Sequence, residues 1–393
     1  MFSQRTNWNL EPNRLAVAYR RMRQAGREIL DLTISNPTHA GFQYDDTAIL
    51  HALSNPKSLV YDPQPKGLLC ARKAITDYYS QQATAAAVDP ESLILTTSTS
   101  EAYSFIFRLV ANAGDEILVP KPSYPLFDFL ADLQDIGLAG YPLIYDHGWH
   151  IDFASLEQAV TDRTRGVIVV HPNNPTGSYT TAEERERLNE CCARLGLPII
   201  ADEVFLDYQL SSGTVRSFAD NTDVLTFSLS GISKISALPQ MKLAWMAVSG
   251  PSEKAHAALA RLEVIADTYL SLNTPIQLAS LTLLEQRKSI QPQLLSRVRC
   301  NLGELDCQLG LQTTCSRLEV EGGWCAVIRV PATRPDEELA IDLLQGCAVL
   351  VHPGHFYDFP RDGYLVVSLI APTAEFQKGI SRVLNFLSQC PSP

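Results

Sequence analysis

No apolar run in this sequence approaches the roughly 18 to 20 residues that span a bilayer, and the opening MFSQRTNWNLEPNR lacks the hydrophobic stretch of a secretory signal. A membrane anchor is therefore not expected. Basic charge is also scarce: 32 lysines and arginines stand against 43 aspartates and glutamates, a net −11 with histidine neutral. That balance argues against a broad surface for nucleic acid or anionic lipid. Repeats and low-complexity tracts are absent, which excludes solenoids and long linkers. The nine cysteines, Cys70, Cys191, Cys192, Cys300, Cys307, Cys315, Cys325, Cys347 and Cys390, are odd in number and include no CxxC pair. Neither a zinc site nor a disulfide framework is expected, no metal is called for, and the default compartment is the reducing cytoplasm. Six arginines between Arg5 and Arg27 raise the question of a transit peptide. Glu11 and Glu28 among them, and the lack of serine, favour a solvated helix face.

What is present suits a large globular chain. Hydrophobic residues make up 46% and charged residues 19% of 393 positions, enough for a sizeable core. At about 150 residues per domain, two to three domains are expected. Strand-length apolar runs occur at 93–97, 116–120, 166–172, 198–204, 224–230 and 244–250. Helical patterns lie between several of them, such as Ala102, Phe105, Ile106 and Leu109, and AEERERLNECCARLG closing at Gly196. This alternation predicts an α/β fold with a mostly parallel central sheet covered by helices on both faces. After about residue 250 long helices dominate, with strands near 322–330 and 364–370, which reads as a smaller α+β domain. An amphipathic helix carrying Leu15, Tyr19 and Met22, stopped by Gly26, has no strand partner nearby.

In an open parallel sheet, ligands bind beyond the carboxyl ends of the strands, so the polar residues at those ends are the candidates. The run at 93–97 leads into Ser98, Thr99, Ser100 and Glu101 at a helix start, an anion site or simply an N-cap. The run at 167–171 ends in His171-Pro172-Asn173-Asn174-Pro175-Thr176-Gly177, a rigid turn. The next delivers Asp202 and Glu203, whose carboxylates are costly to bury without partners. The last ends in Ser233 and Lys234. Singly, each has an ordinary structural reading.

As an ordered set, Asn174-Pro175-Thr176-Gly177, Asp202-Glu203-Val204 and Ser233-Lys234 resemble the class I/II aminotransferases that depend on pyridoxal 5'-phosphate (PLP), enzymes of fold type I like aspartate aminotransferase. The resemblance spans nearly the whole chain. It includes Tyr61 and Gly67 in YDPQPKG, and Pro122, Tyr124 and Pro125 in KPSYP. It implies a large PLP-binding domain over 46–270 and a small domain built from 1–45 and 271–393. The implied reaction moves an amino group between an amino acid and a 2-oxo acid through a Schiff base on Lys234, with Asp202 against the ring nitrogen. Asn174 and Tyr124 would meet the ring, and Thr99, Ser100 and Ser233 the phosphate. Tyr61 would reach the phosphate of a neighbouring subunit, implying a homodimer with shared active sites. A lyase or decarboxylase on the same fold is the alternative reading. A non-catalytic aminotransferase-like sensor fits less well, because the enzyme-like region begins at once.

Four departures from the family pattern stand out. Phe205 replaces a tyrosine, removing one donor to the ring's phenolic oxygen, so the imine pKa is expected to be high. Lys242 replaces a phosphate-binding arginine, giving a point charge in place of a fork. His171 replaces an asparagine and is expected to be structural. In Tyr364-Leu365-Val366-Val367-Ser368, Val366 stands where an arginine would grip the substrate carboxylate. Either another cation grips the carboxylate, with Arg329 and Arg361 as candidates, or the substrate presents none there. His352, His355 and Tyr357 in HPGHFYDF would line the pocket or form a polar turn.

Overall fold

The computed structural model describes residues 1–82 and 87–389, so Cys390 lies outside the described residues. The described chain forms strands β1 (Leu30–Asp31), β2 (Leu93–Thr96), β3 (Glu116–Lys121), β4 (Gly137–Tyr145), β5 (Trp149–Ile151), β6 (Thr164–Val170) and β7 (Ile199–Asp202). It continues with β8 (Thr226–Gly231), β9 (Ala244–Ser249), β10 (Ser316–Arg317), β11 (Cys325–Arg329), β12 (Val349–Leu350), β13 (His352–Pro353) and β14 (Tyr364–Ser368). Eight of these make one sheet, in the order β2-β9-β8-β7-β6-β3-β4-β5.

From β8 to β4 all neighbours are parallel, as expected for apolar runs separated by helices. Alternate residues of these strands feed two cores. Ile117, Ile168 and Ile200 pack against the helices Thr99–Val110 and Ser252–Tyr269. Val167, Val169 and Ile199 pack against Leu188 and Cys192 of the helix Ala182–Leu195 on the opposite face. That last helix has both ends specified locally. Thr181 and Glu184 exchange side-chain and backbone bonds at its start, and Gly196 takes φ 70° at its end. Two features differ from the sequence reading. β9, the 244–250 run, lies antiparallel to both β2 and β8. The hairpin of β4 and β5 at the sheet edge was not anticipated.

A second sheet, β10-β11-β14-β13, is antiparallel throughout. Its core face packs Ala326, Ile328, Leu365 and Val367 against the helices Arg287–Leu309, Asp336–Cys347 and Thr373–Gln389. The first helix, Arg14–Gln24, joins the same core through Leu15 and Ala18 and packs on Asp336–Cys347, so its partner is within this chain. β1 pairs in parallel with β12, tying the amino-terminal region to the carboxyl-terminal one.

Candidate active site

A cavity of about 540 Å³ opens where the carboxyl ends of β6, β7 and β8 meet the second sheet. Each wall is set by a local feature. Ser98 caps the helix Thr99–Val110 by accepting from the Glu101 N–H at 3.2 Å, which leaves the Thr99 and Ser100 amides without helical partners. Both residues line the cavity. Asn174 follows β6 in a turn that closes at Gly177. There φ is 72° and a Cβ would lie 2.5 Å from the Gly322 carbonyl oxygen, so only glycine fits.

Asp202 and Glu203 are neighbours whose side chains part. Glu203 turns away and accepts from the Ser217 hydroxyl at 2.6 Å and from the Phe218 N–H. Asp202 lines the cavity, accepting from the Tyr103 hydroxyl at 3.0 Å and from the Val204 N–H at 3.2 Å. Burial raises the Asp202 carboxyl to about 6, against the lowering effect of those bonds and of Lys234. Burial raises Glu203 to about 7.

Lys234 projects from the short turn after β8, and three side chains hold that turn by its carbonyls. Tyr208 donates to the Lys234 carbonyl at 2.6 Å, Gln291 to Ile235 at 2.9 Å and Tyr44 to Ala237 at 2.9 Å. The amine itself makes no hydrogen bond or ion pair with the described residues. It lies 5.2 Å from the Phe205 ring centroid and 4.9 Å from that of Trp324. Burial lowers its pKa, with Cys325 and Asp202 opposing, so the neutral nucleophilic form is favoured more than for a surface lysine.

The structure brings together Thr99, Ser100, Tyr124, Asn174, Asp202, Phe205, Ser233, Lys234 and Lys242 around this one cavity. Tyr61 is not among them. It is 80% exposed and lines a separate, smaller recess. Arg329 and Arg361 also stay outside, stacking near Tyr145 and Tyr364 respectively. His352 and Tyr357 line the cavity, whereas His355 is exposed and does not. His171 is buried behind the site between Tyr179 and Phe218, accepts the Thr180 N–H at Nδ1 and is lowered by burial to about 3. Val366 does face the cavity, and no arginine does among the described residues.

Sequence reasoning missed Tyr103, Trp324 and Cys325. Tyr103 follows Thr99 by one helical turn, so helical spacing could have flagged it. Nothing in the stretch Gly322-Gly323-Trp324 signalled that Trp324 would sit over a lysine 90 positions earlier in the chain (324 minus 234).

The donor set matches the group implied by the resemblance. Amides, hydroxyls and Lys242 suit a phosphate, a buried carboxylate suits a protonated ring nitrogen, and an unbonded amine suits an aldehyde. Among the described residues no cluster of histidine, cysteine, aspartate and glutamate could hold a metal.

Comparison with known proteins gives consistent results. The family model for aminotransferase class I and II matches residues 27–380. The glutamate-pyruvate aminotransferase of Haemophilus influenzae is 28% identical over 377 residues, covering 94% of this chain and 93% of that protein. An alanine aminotransferase of Mycobacterium tuberculosis is 28% identical, with 93% and 87% covered. Among solved structures, an aminotransferase from Escherichia coli superposes with a TM-score of 0.87 at 25% identity, covering 100% of this chain and 99% of its own. The alanine aminotransferase of Pyrococcus furiosus shares the fold with a TM-score of 0.89 at 23% identity, covering 99% and 100%.

Proposed function

Because the chain belongs to the class I and II aminotransferase family, we propose that it binds pyridoxal 5'-phosphate in this cavity and exchanges amino groups between an α-amino acid and a 2-oxo acid. It is an aminotransferase. The observation that carries the cofactor assignment is the pairing of an unbonded Lys234 amine with a buried Asp202 carboxylate in one cavity. The relatives named for alanine, glutamate and pyruvate make alanine with 2-oxoglutarate, and glutamate with pyruvate, the first pairs to test.

Bound there, the cofactor supplies a conjugated ring that accepts the electron pair left when a substrate bond breaks. Lys234 would anchor it through its amine and, once displaced by the substrate's amine, carry the proton to and from the substrate carbon. Asp202, oriented by Tyr103, would keep the ring nitrogen protonated. Asn174 would donate to the phenolic oxygen and Tyr124 would stack on the ring. Thr99, Ser100, Ser233 and Lys242 would hold the phosphate. Phe205 offers that oxygen no hydrogen bond.

A homodimer belongs to the same proposal. Leu59, Val60 and Tyr61 form an apolar run that is 91%, 63% and 80% exposed, which suits cover by a second copy and a Tyr61 that reaches its phosphate. We further propose a PLP-binding domain over 46–270 and a small domain over 1–45 and 271–393. The helix Thr274–Glu285, just past that boundary, packs on Leu69–Ser80 of the large domain. No helix among the described residues is long and apolar enough to cross a membrane, and the eight cysteines among the described residues, all unpaired, suit a reducing cytoplasm.

The test is the visible spectrum of the purified protein with pyridoxal phosphate. A band that alanine discharges and a 2-oxo acid restores is expected. A band that forms normally in Lys234→Ala would overturn the role given to Lys234.

A further inference from the structure

A carboxylate brought into a largely apolar cavity needs a partner that meets its charge. Among the described residues lining this one, the lysines are Lys234, whose amine faces Phe205 and Trp324, and Lys242, which is exposed ahead of β9. Neither belongs to the wall made by β13 and β14. That wall follows from strand register. His352 pairs with Val366, and directly opposed residues on antiparallel strands put their side chains on one face, with Cβ atoms about 5 Å apart. Leu365 and Val367 point the other way, into the small core. The imidazole of His352 therefore stands beside the apolar Val366 side chain on the cavity face.

His352 Nδ1 is 3.0 Å from the Tyr357 hydroxyl, and its Nε2 has no hydrogen bond among the described residues. Tyr357 lines the same cavity. With the phenol donating to Nδ1, the neutral ring carries its hydrogen on Nε2. With the ring protonated, Nδ1 donates to the phenol oxygen and frees the phenol hydrogen for a ligand. Both arrangements offer a hydrogen to an acceptor in the cavity, and the second adds a full charge.

We propose that His352, with Tyr357 beside it, receives the α-carboxylate of the substrate and takes up a proton as it does so. The assignment rests on the amino-transfer reading above. The charged and titratable groups around His352 leave room for this. Asp31 of β1 favours its protonation, and burial opposes it. Tyr357 is kept as a phenol by burial. Asp336, on the helix packed against β13, spends its carboxylate on the Gly363 and Tyr364 amides. Tyr364 of β14 is held by Arg361, and Cys325 of β11, on the same face of the sheet, stays a thiol, pushed up to about 11 by burial. Burial favours the neutral ring of His352, and an arriving carboxylate would raise its pKa, so affinity for a carboxylate falls as pH rises between the free and bound values.

The test uses the PLP-loaded enzyme and His352→Gln, with alanine and its carboxylate-free analogue alaninol. The expected result is a rise of about ten-fold or more in KM for alanine with kcat within about three-fold, and no change in the rate at which alaninol discharges the cofactor band. Binding of propionate, followed by calorimetry in buffers of different ionisation enthalpy, should show proton uptake in the wild type and none in the variant. An unchanged KM for alanine, an equal loss with alaninol, or propionate binding without proton uptake in the wild type would each overturn the assignment. A wild-type enzyme that exchanges no amino group with alanine or any 2-oxo acid would instead overturn the reading above, and the propionate measurement, which needs no turnover, still decides the role of His352.

Discussion

The two ends of the cavity are built by different rules. At the cofactor end, polar residues sit at the tips of parallel strands and at a helix start, and each is held by a neighbour close in space: Asp202 by Tyr103, and the Lys234 turn by Tyr208, Gln291 and Tyr44. At the far end, the two-residue edge strand β13, the turn after it and the inner strands β14 and β11 present His352, Tyr357, Val366 and Cys325. The proposed cofactor would leave the first end little freedom in residue type, because its ring, phosphate and aldehyde would each demand a particular partner. The second would need only to match a substrate, and the carboxylate role proposed for His352 would give that end a charge that depends on its ligand. A shared reaction constrains one end of a pocket much more than the other.

The largest break in that comparison should come from Lys234. Lys234→Ala is expected to lower turnover by roughly 10²–10⁴-fold or more, as removal of a general acid-base group does. A residual rate near wild type, measured in steady state, would mean that another amine does the work. Asp202→Asn comes next, with a loss of about 10²-fold and weaker retention of the cofactor on dialysis.

A pH experiment sharpens the contrast without a mutation. Asp202 and Glu203 have carboxyl groups raised above their unfolded values, so the folded cofactor-free protein binds their protons more tightly than the unfolded chain does. Its stability should fall as pH rises from about 4 through 6 for Asp202 and through 7 for Glu203. Adding pyridoxal phosphate should flatten the Asp202 part, because the ring nitrogen then favours the charged carboxylate. Melting temperatures at pH 5 and pH 8, with and without cofactor, check this.

Smaller still is Phe205→Tyr, which restores a donor at the cofactor end. The pH at which the cofactor band changes colour should drop by about one unit. The smallest effect is expected from Tyr208→Phe, which removes a hydrogen bond to the Lys234 carbonyl and should cost about 1 kcal/mol in denaturant unfolding.

The same contrast explains what the sequence could tell. Thr99, Asn174, Asp202 and Lys234 were legible because each sits where a strand becomes a turn or a helix, and such joints are written in short stretches of chain. The central strands were legible as apolar runs, but nothing in a run states its direction, which is why β9 was not read as antiparallel. The β4 segment, GLAGYPLIY, contains two glycines and a proline and gives a weak strand signal. The His352 and Val366 pairing was the least legible, since it depends on register between distant strands, and a slip of one residue would turn every side chain to the other face.

The parallel pairing of β1 with β12 has a bearing on how the molecule is made. Leu30 meets Val349 across 319 positions of chain (349 minus 30), and the Ser368 N–H bonds to the Leu32 carbonyl oxygen at 2.7 Å. A contact so remote in sequence closes a very long loop and cannot form until residue 349 has left the ribosome. Strands β6, β7 and β8 are by then already synthesised, with the neighbours that hold Asp202 and all three that hold the Lys234 turn. The wall made by β13 and β14 is thus synthesised after the residues that hold Asp202 and Lys234.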